Sequence, residues 1–185
     1  MKTHEKYIVL DRDGVINHDS DAFIKSPNEW VPIEGSLDAI VKLNRHGYKV
    51  LVCTNQSGIG RELFDMMTLN QIHQKMYDLL QQKGGKIEAV FFCPHTQKDA
   101  CSCRKPLSGM LEDIERRYNI SLNNIAMVGD SLRDLQAGER MGMKSFLVLS
   151  GKGQKTFAEK KAELPKNTQV FHNLSAVVDF LIANS

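Results

Sequence analysis

Two aspartates separated by one residue follow a short apolar run, and their type and spacing indicate metal-ion chemistry. Asp11 and Asp13 come directly after Tyr7–Leu10. In extended backbone, residues two positions apart face the same side, so we expect both carboxylates on one side and Arg12 on the other. Two carboxylates held that close repel each other unless a cation lies between them. Mg²⁺ commonly binds one or two carboxylates together with phosphate oxygens, so this pair predicts a magnesium site that takes a phosphorylated ligand.

Polar side chains also follow two later apolar runs. Thr54 and Asn55 come after the second run, and Asp130 comes after the fourth. Open parallel sheets bind ligands at the carboxyl ends of their strands, so these residues are expected to meet the aspartate pair. A carboxylate beside a metal ion can attack phosphorus and form an aspartyl phosphate, while a second carboxyl protonates the leaving alkoxide. Thr54, Asn55 and Lys105 are the expected donors to the phosphoryl oxygens.

Three cysteines and one histidine crowd into a short segment between the third apolar run and the next helical stretch. Three thiolates and one imidazole match a closed tetrahedral Zn²⁺ site, which has no open position for catalysis. Zinc is therefore expected to be structural, and to fix Arg104 and Lys105, which follow the last cysteine, over the rim of the active site. The four predicted zinc ligands are Cys93, His95, Cys101 and Cys103.

Short apolar runs alternate with stretches of helical periodicity along the chain. Strands separated by helices imply right-handed crossovers, so we predict an α/β fold with a parallel sheet and helices on both faces. Ser36 and Thr68 are predicted to cap the first two helices, and residues 152–166 to form a solvated loop or a short exposed helix. The predicted strands are Tyr7–Leu10, Lys49–Cys53, Glu88–Phe92, Ile125–Val128, Ser145–Leu149 and Gln169–Phe171. Further helices are predicted from Ser108, near Leu132–Met141 and around Ala176–Ile182.

Composition limits the class of protein. The chain has 185 residues, 42% of them apolar and 25% charged, which is typical of a globular protein, and we predict a single domain over residues 1–185. The formal net charge of +2 favours neither nucleic acid nor an anionic membrane as a partner. No apolar segment is long enough for a membrane span or a signal peptide, so we expect a cytoplasmic protein, and a monomer by default.

Four ordered motifs resemble those of the haloacid dehalogenase-like (HAD-like) phosphatases, and they extend over nearly the whole chain. The motifs are DRDGV at 11–15, TNQSG at 54–58, RKP at 104–106 and GDSLRD at 129–134. The resemblance implies a Rossmann-like sheet, with Asp11 as the nucleophile and Asp13 as the general acid and base. It also implies that Thr54 and Lys105 hold the phosphoryl group. The implied magnesium ligands are Asp11, the main-chain carbonyl of Asp13, and Asp130.

The zinc loop narrows this resemblance to a subgroup. CPH followed by CSCRKP, together with DRDGVIN and TNQSGIGR, is similar to the D,D-heptose 1,7-bisphosphate phosphatases of lipopolysaccharide-core precursor synthesis. Those enzymes remove the 7-phosphate, so a sugar bisphosphate is the expected substrate, with either anomer open. The histidinol-phosphate phosphatases share the zinc loop and are the alternative. The chain has no large insert after its first helix, so we expect no cap domain over the site.

Recognition of the substrate is expected to involve the loop after Asp13 and the two later motifs. The polar side chains of that loop can hydrogen-bond to sugar hydroxyls, and Asn17 is expected to do the same. Arg104 is expected to act in catalysis and to bind the remaining phosphate, because a guanidinium holds phosphate oxygens in two places. The predicted substrate-binding residues are Asp19, Ser20, Asp21, Asn55, Gln56, Ser57, Arg104 and Lys105.

Overall fold

The structure is a computed structural model, and it describes residues 5–184. A six-stranded sheet in the order β3-β2-β1-β4-β5-β6 forms its centre, and every neighbouring pair of strands is parallel. The predicted Rossmann-like parallel sheet is confirmed. The strands are β1 (Lys6–Leu10), β2 (Tyr48–Asn55), β3 (Ala89–Cys93), β4 (Ala126–Gly129), β5 (Lys144–Val148) and β6 (Gln169–Phe171).

Helices cover both faces of the sheet. Alternate residues of β1 show the two layers, since Ile8 packs with α1, α2 and α6 on one face, whereas Val9 packs with α3 and α4 on the other. Both layers are fully buried, so the central strands are apolar along their whole length. The helices are α1 (Ser36–Arg45), α2 (Met66–Gln82), α3 (Gly109–Tyr118), α4 (Leu132–Arg140), α5 (Gly153–Lys160) and α6 (Leu174–Ala183).

The chain order of the strands places the site. β1 lies between β2 and β4, and Leu10 is in register with Val52 on one side and Val128 on the other. The segments that leave these three strands therefore emerge side by side. From β1 the chain adds β2 and β3 on one side and then β4, β5 and β6 on the other. The strand order reverses at β1, and open α/β sheets bind ligands at such a topological switch point.

The two predicted helix caps were wrong. Gly35, with φ of 80°, is the N-cap of α1, while Ser36 is its first helical residue and donates from Oγ to the Ile16 carbonyl at 2.6 Å. Asp65 caps α2, where its carboxylate accepts from the Thr68 main-chain N–H at 2.8 Å. Each true cap lies upstream of the predicted one, because the helices begin before their apolar periodicity becomes visible.

The predicted single domain extends slightly beyond the described residues. The prediction covers residues 1–185, and residues 1–4 and 185 lie outside the described part of the chain. The connection between β1 and α1, residues 11–35, carries only one short 3₁₀ helix, Pro27–Glu29. Among residues 5–184, none of the helices has the length and apolar character that crossing a membrane requires.

Candidate active site

A cavity of about 210 Å³ opens at the carboxyl edge of the sheet. Eleven of the residues predicted to act in catalysis or substrate binding line it, although they come from four separate segments of the chain. Asp130 does not line the cavity but lies beneath it, only 2% exposed. The predicted residues that line the cavity are Asp11, Asp13, Asp19, Ser20, Asp21, Thr54, Asn55, Gln56, Ser57, Arg104 and Lys105.

Lys105 is buried between two carboxylates at the floor of the cavity. Its Nζ lies 2.9 Å from Asp11 Oδ1 and 2.7 Å from Asp134 Oδ1, and it donates to the Cys53 carbonyl at 2.6 Å. Burial would lower the pKa of Lys105, but the two carboxylates outweigh this and raise it. The ammonium group is therefore a permanent cation beside Asp11. The role of Asp134, one helical turn after Asp130, was left open by the sequence.

Asp11 is held where ionisation is costly. Burial is the main reason that its pKa is raised from 3.8 to about 6, and the nearby Asp134 and Asp13 add to the effect while Lys105 opposes it. An unprotonated carboxylate in this position is poorly solvated, which favours its reaction with an electrophile or a cation. The main-chain N–H of Asp11 donates to the Val128 carbonyl at 2.9 Å, so the residue continues the β1–β4 ladder and has a fixed direction.

Asp130 completes a cluster of carboxylates that fits a divalent cation. Oxygen atoms of Asp11, Asp130 and Asp134 all lie within 4.8 Å of one another. Burial, followed by repulsion from Asp134 and Asp11, raises the pKa of Asp130 well above its usual value. Lys105 is shared between Asp11 and Asp134, and it forms no ion pair with Asp130. A buried group of three carboxylates that shares one lysine is the kind of oxygen site that Mg²⁺ occupies.

Glycine is required at position 14 for this cluster to form. Gly14 has a φ of 86°, and a Cβ built there would lie 2.0 Å from Asp130 Oδ2. The main-chain N–H of Lys152 donates to the same Asp130 oxygen at 2.7 Å, and Thr156 donates from Oγ1 to the Asp130 carbonyl at 2.9 Å. Within residues 152–166, predicted to be a solvated loop or a short exposed helix, the short and mostly exposed helix α5 forms. Its contact with the site was not predicted, since Thr156 is buried and Lys152 lines the cavity.

Arg12 was predicted to face away from the two aspartates, and this was wrong. Its guanidinium is fully buried and turns back to Asp13, with Nη2 2.9 Å from Oδ1 and 3.0 Å from Oδ2. Strand alternation fails here because regular pairing ends at Leu10 and the chain turns at Gly14. Asn17 was also misplaced, since it is fully buried and its amide donates to Asp13 Oδ1 at 2.8 Å instead of facing a sugar.

These contacts determine the charge of Asp13. Burial would raise the pKa of the carboxyl group, but Arg12, Asn17 and Gln56 together lower it. Gln56 Nε2 lies 2.8 Å from Asp13 Oδ2 and 2.8 Å from Thr54 Oγ1, so one amide orients both groups. Asp13 is thus an oriented carboxylate in the ligand-free protein, with its side chain turned away from the Asp11–Asp130–Asp134 cluster.

Asn55 connects the strand end to the segment that carries Lys105. Its amide nitrogen donates to the Lys105 carbonyl at 3.0 Å, and its amide oxygen accepts from the Lys105 main-chain N–H at 3.1 Å. Both polar atoms of the side chain are thereby used to hold the backbone of Lys105 in place. The predicted direct role of Asn55 in substrate binding stays a prediction, since the residue also lines the cavity.

Three arginines gather on one wall of the cavity, and only Arg104 was predicted. Burial lowers the pKa of Arg104, and the like charges of the neighbouring Arg133 and Arg61 lower it further. Arg133 Nε is buried without a hydrogen-bond partner among residues 5–184. The guanidinium of Arg61 lies over the Phe23 ring at 5.9 Å. This wall is suited to a second anionic group.

The loop at residues 19–21 is tied to Lys152, which also lines the cavity. Lys152 Nζ lies 3.1 Å from Asp19 Oδ2 and 3.2 Å from Asp21 Oδ1. The side chain of Asp21 is 95% exposed, so its ion pair contributes little to stability, whereas Asp19 is 19% exposed. The loop therefore presents polar oxygen atoms to the cavity and is anchored mainly through Asp19.

The predicted zinc ligands come together beside the cavity. One ligand atom from each of the four residues lies within 4.8 Å of all the others. The Cys93 and Cys101 Sγ atoms are 3.9 Å apart, close to the edge of about 3.7 Å expected for a tetrahedron with zinc–sulfur bonds of roughly 2.3 Å. His95 directs Nδ1 to the cluster, 3.2 Å from Cys103 Sγ. The donor set fits a structural zinc ion, although the Cys93 and Cys103 Sγ atoms, 3.0 Å apart, would have to separate to reach a regular tetrahedron.

The cluster is connected directly to the cavity wall that carries the arginines. Cys103 immediately precedes Arg104, whose Nη1 donates to the His95 carbonyl at 3.1 Å. A second link is the close approach of Gly60, where an added Cβ would lie 2.7 Å from the Pro94 carbonyl oxygen. The four-residue cluster thus determines where the 104–105 segment enters the site.

The parallel sheet, with a buried Asp11–Lys105 pair at its carboxyl edge, is the fold and site of the HAD-like hydrolases. The HAD-hydrolase-like family model matches residues 102–177. A Neisseria meningitidis protein named D-glycero-β-D-manno-heptose-1,7-bisphosphate 7-phosphatase is 54% identical over 169 residues, 91% of this chain and 90% of that protein. A Bordetella bronchiseptica protein of the same name is 52% identical over 177 residues, 96% of this chain and 98% of that protein.

Solved structures agree with the sequence relatives. The crystal structure of D,D-heptose 1,7-bisphosphate phosphatase from B. bronchiseptica, complexed with magnesium and phosphate, has a TM-score of 0.95 at 51% identity and covers 97% of this chain and 99% of that one. The Burkholderia thailandensis structure of the same name has a TM-score of 0.75 at 48% identity, over 95% of this chain and 98% of that one. The chain belongs to the heptose 1,7-bisphosphate phosphatase family of the HAD-like hydrolases.

Proposed function

We propose that this protein is a magnesium-dependent phosphatase that removes the 7-phosphate of D-glycero-β-D-manno-heptose 1,7-bisphosphate through an aspartyl phosphate on Asp11. The observation that carries the proposal is the buried contact of Asp11 with Lys105 at the floor of a cavity whose wall holds three arginines. The names of the relatives support the substrate and its β anomer. The activity would contribute to the synthesis of heptose precursors of lipopolysaccharide.

Asp11 is proposed to be the nucleophile. Its free carboxylate oxygen attacks phosphorus, and the bond between phosphorus and the C7 oxygen breaks. Lys105, fixed between Asp11 and Asp134, and the hydroxyl of Thr54 donate to the phosphoryl oxygens as charge shifts toward them. Magnesium, held by Asp11, Asp130 and the main-chain carbonyl of Asp13, would offset the repulsion between the attacking carboxylate and the phosphoryl group.

Asp13 is proposed to carry the proton in both halves of the reaction. In the first half its carboxyl group gives a proton to the departing C7 oxygen, and in the second half the carboxylate removes a proton from the water that attacks the aspartyl phosphate. The carboxylate is ionised in the ligand-free protein because Arg12 and its other donors lower its pKa. A bound phosphoryl dianion raises the pKa of a neighbouring carboxyl group, so protonation of Asp13 accompanies binding of the substrate.

The arginine wall is proposed to bind the phosphate that is retained. The charges of Arg133 and Arg61 both act on Arg104, and none of the three arginines forms an ion pair within residues 5–184. Arg133 also lies near enough to Asp134 and Asp11 for these carboxylates to raise its pKa against the effect of burial. A bisphosphate offers a second dianion to this wall, whereas histidinol phosphate offers a cationic amine, which the three guanidinium groups would repel. This contrast, together with the relatives, favours the heptose substrate over the alternative.

Sugar recognition is proposed to fall on the predicted loop. Asp19, Ser20 and Asp21 line the cavity together with Gln56 and Ser57, and the Gln56 amide contacts Asp13. Carboxylate and hydroxyl oxygens accept and donate hydrogen bonds to sugar hydroxyls. Zinc is proposed as the ion of the Cys93–Cys103 cluster, with a structural role only. A cytoplasmic location and a monomeric state remain predictions from the sequence.

Magnesium should stabilise the protein more at neutral than at acidic pH. The pKa of Asp11 is raised from 3.8 to about 6 on folding, so the metal-free native state binds more protons than the unfolded state between these pH values. The contribution of Asp11 to the free energy of unfolding therefore falls as the pH rises from about 4 to about 6. Mg²⁺ competes with those protons. We expect the magnesium-induced rise in melting temperature to be larger at about pH 7.5 than at about pH 5. Equal shifts at both pH values would argue against a magnesium site at Asp11.

The position of cleavage tests the proposed reaction. In ³¹P nuclear magnetic resonance of a reaction with the β bisphosphate and Mg²⁺, the signal of the C7 monoester should disappear, inorganic phosphate should appear in equal amount, and the anomeric phosphate should persist. Loss of the anomeric phosphate instead would reverse the proposed orientation of the substrate. No phosphate release from this substrate would overturn the proposal.

A further inference from the structure

A histidine of α2 is buried next to the active site without lining the cavity. His73 is 7% exposed, and its Nε2 lies 3.1 Å from Arg12 Nη1. A guanidinium group has only donors, so Nε2 accepts and the ring proton resides on Nδ1. This neutral tautomer agrees with a pKa lowered to about 3, chiefly by burial and then by the charge of Arg12. His73 is thus a neutral acceptor directed at one arginine.

The same arginine binds Asp13 through another edge of the guanidinium group. Arg12 Nε donates to Asp13 Oδ1 at 3.1 Å, and Nη2 contacts both carboxylate oxygens. With Nη1 on His73, the guanidinium is held on opposite sides and is fully buried. Rotation of the guanidinium would break either the contact with Asp13 or the contact with His73. The orientation of the Asp13 carboxylate therefore depends on α2.

A role in packing alone does not account for a histidine at this position. The other buried positions on this face of α2 are apolar, and an apolar side chain at 73 would leave the buried Arg12 Nη1 without its acceptor. An unpaired buried donor of a charged group is costly. Without a buried arginine at position 12 this cost would not arise. The Arg12–His73 pair is therefore best explained by the contact that Arg12 makes with the Asp13 carboxylate.

We propose that His73 is a positioning residue for proton transfer, which acts by fixing Arg12 and, through it, the carboxyl group of Asp13. This inference rests on the proposed function, in which Asp13 protonates the leaving oxygen. His73 touches neither the cavity nor the reacting atoms. Its effect should therefore depend on how much the leaving group needs a proton.

The test compares two leaving groups. The sugar bisphosphate loses an alkoxide that must be protonated, whereas p-nitrophenyl phosphate loses a stable phenolate, and kcat/KM reports this first step. We expect His73→Leu to lower kcat/KM for the bisphosphate about tenfold, as loss of an orienting partner typically does, and for the aryl ester less than about twofold. His73→Gln, which keeps an acceptor, should restore most of the lost rate.

Controls separate positioning from loss of stability. Ile72→Val, a conservative change at the adjacent buried position of α2, should lower kcat/KM for neither substrate. If His73 acts through Asp13, adding His73→Leu to an Asp13→Ala protein should not lower kcat/KM for the bisphosphate any further. If His73→Leu does not fold, His73→Asn replaces it, because the shorter amide does not reach Arg12 as that of Gln does.

The outcomes distinguish this inference from the proposed function. An equal loss with both substrates, no loss with either, or an undiminished effect in the Asp13→Ala background would overturn the role of His73 while leaving the phosphatase proposal intact. An inactive wild-type protein would instead overturn the proposed function, and the role of His73 with it.

Discussion

Asp11→Asn should abolish phosphate release and leave the fold intact. We expect turnover to fall by about four orders of magnitude or more, as it does when a catalytic nucleophile is removed. Asparagine has the same shape and keeps an oxygen that accepts from Lys105, 2.9 Å away in the wild type. Burial raises the pKa of Asp11, so the ionised group opposes folding at neutral pH, and its removal should not lower the melting temperature of the metal-free protein.

Steady-state phosphate release and thermal melting measure the two parts of this prediction. Asp38→Asn is the matched control, because Asp38 makes an exposed ion pair with Lys83 and lies on α1, away from the cavity. It should keep the wild-type rate. An Asp11→Asn protein that turns over substrate at a comparable rate would eliminate Asp11 as the nucleophile.

Loss of the metal cluster should have the largest effect on stability. Replacing Cys101 and Cys103 by alanine removes two of the four ligands, which lie within 4.8 Å of one another in the wild type. Structural zinc contributes its binding free energy to folding, and we expect the free energy of unfolding to fall by on the order of 5 kcal/mol. The expected loss is smaller than in zinc fingers, because this protein is also stabilised by two apolar layers. Activity should fall as well, since Arg104 and Lys105 follow Cys103 directly.

Elemental analysis and chemical denaturation test this prediction together. Wild-type protein should contain one zinc per chain, and the double variant should contain none. Cys53→Ala is the control, because Cys53 is buried in the sheet outside the cluster and its replacement should leave the zinc content unchanged. Wild-type protein that folds with no zinc would refute the structural role of the ion.

The sheet and the composition of the site could be predicted because both follow from strand ends. Each central strand is a short apolar run that ends at a polar residue, as at Leu10–Asp11 and Gly129–Asp130. Once the strands are parallel, those polar residues must share one edge. The cluster of three cysteines and one histidine could also be predicted, because its four residues lie close together in the sequence and can be recognised without knowing the fold.

Contacts between distant segments could not be predicted. Arg12 turns inward because His73, 61 positions away, accepts from it, and no local pattern records that pairing. Lys152 was assigned to solvent because its neighbourhood is charged, yet its N–H binds Asp130 across 22 positions. Such contacts depend on where the crossovers place α2 and α5, which sequence periodicity does not specify.

The most direct test of the account is the rate of phosphate release with Mg²⁺ for three substrates measured side by side: the β and α anomers of D-glycero-D-manno-heptose 1,7-bisphosphate, and histidinol phosphate. We predict the highest kcat/KM for the β anomer, which the names of the relatives specify. We predict the lowest for histidinol phosphate, because it lacks the second phosphate that Arg61, Arg104 and Arg133 are proposed to bind. A preference for histidinol phosphate would contradict the account, since it would mean that the arginine wall does not select the substrate.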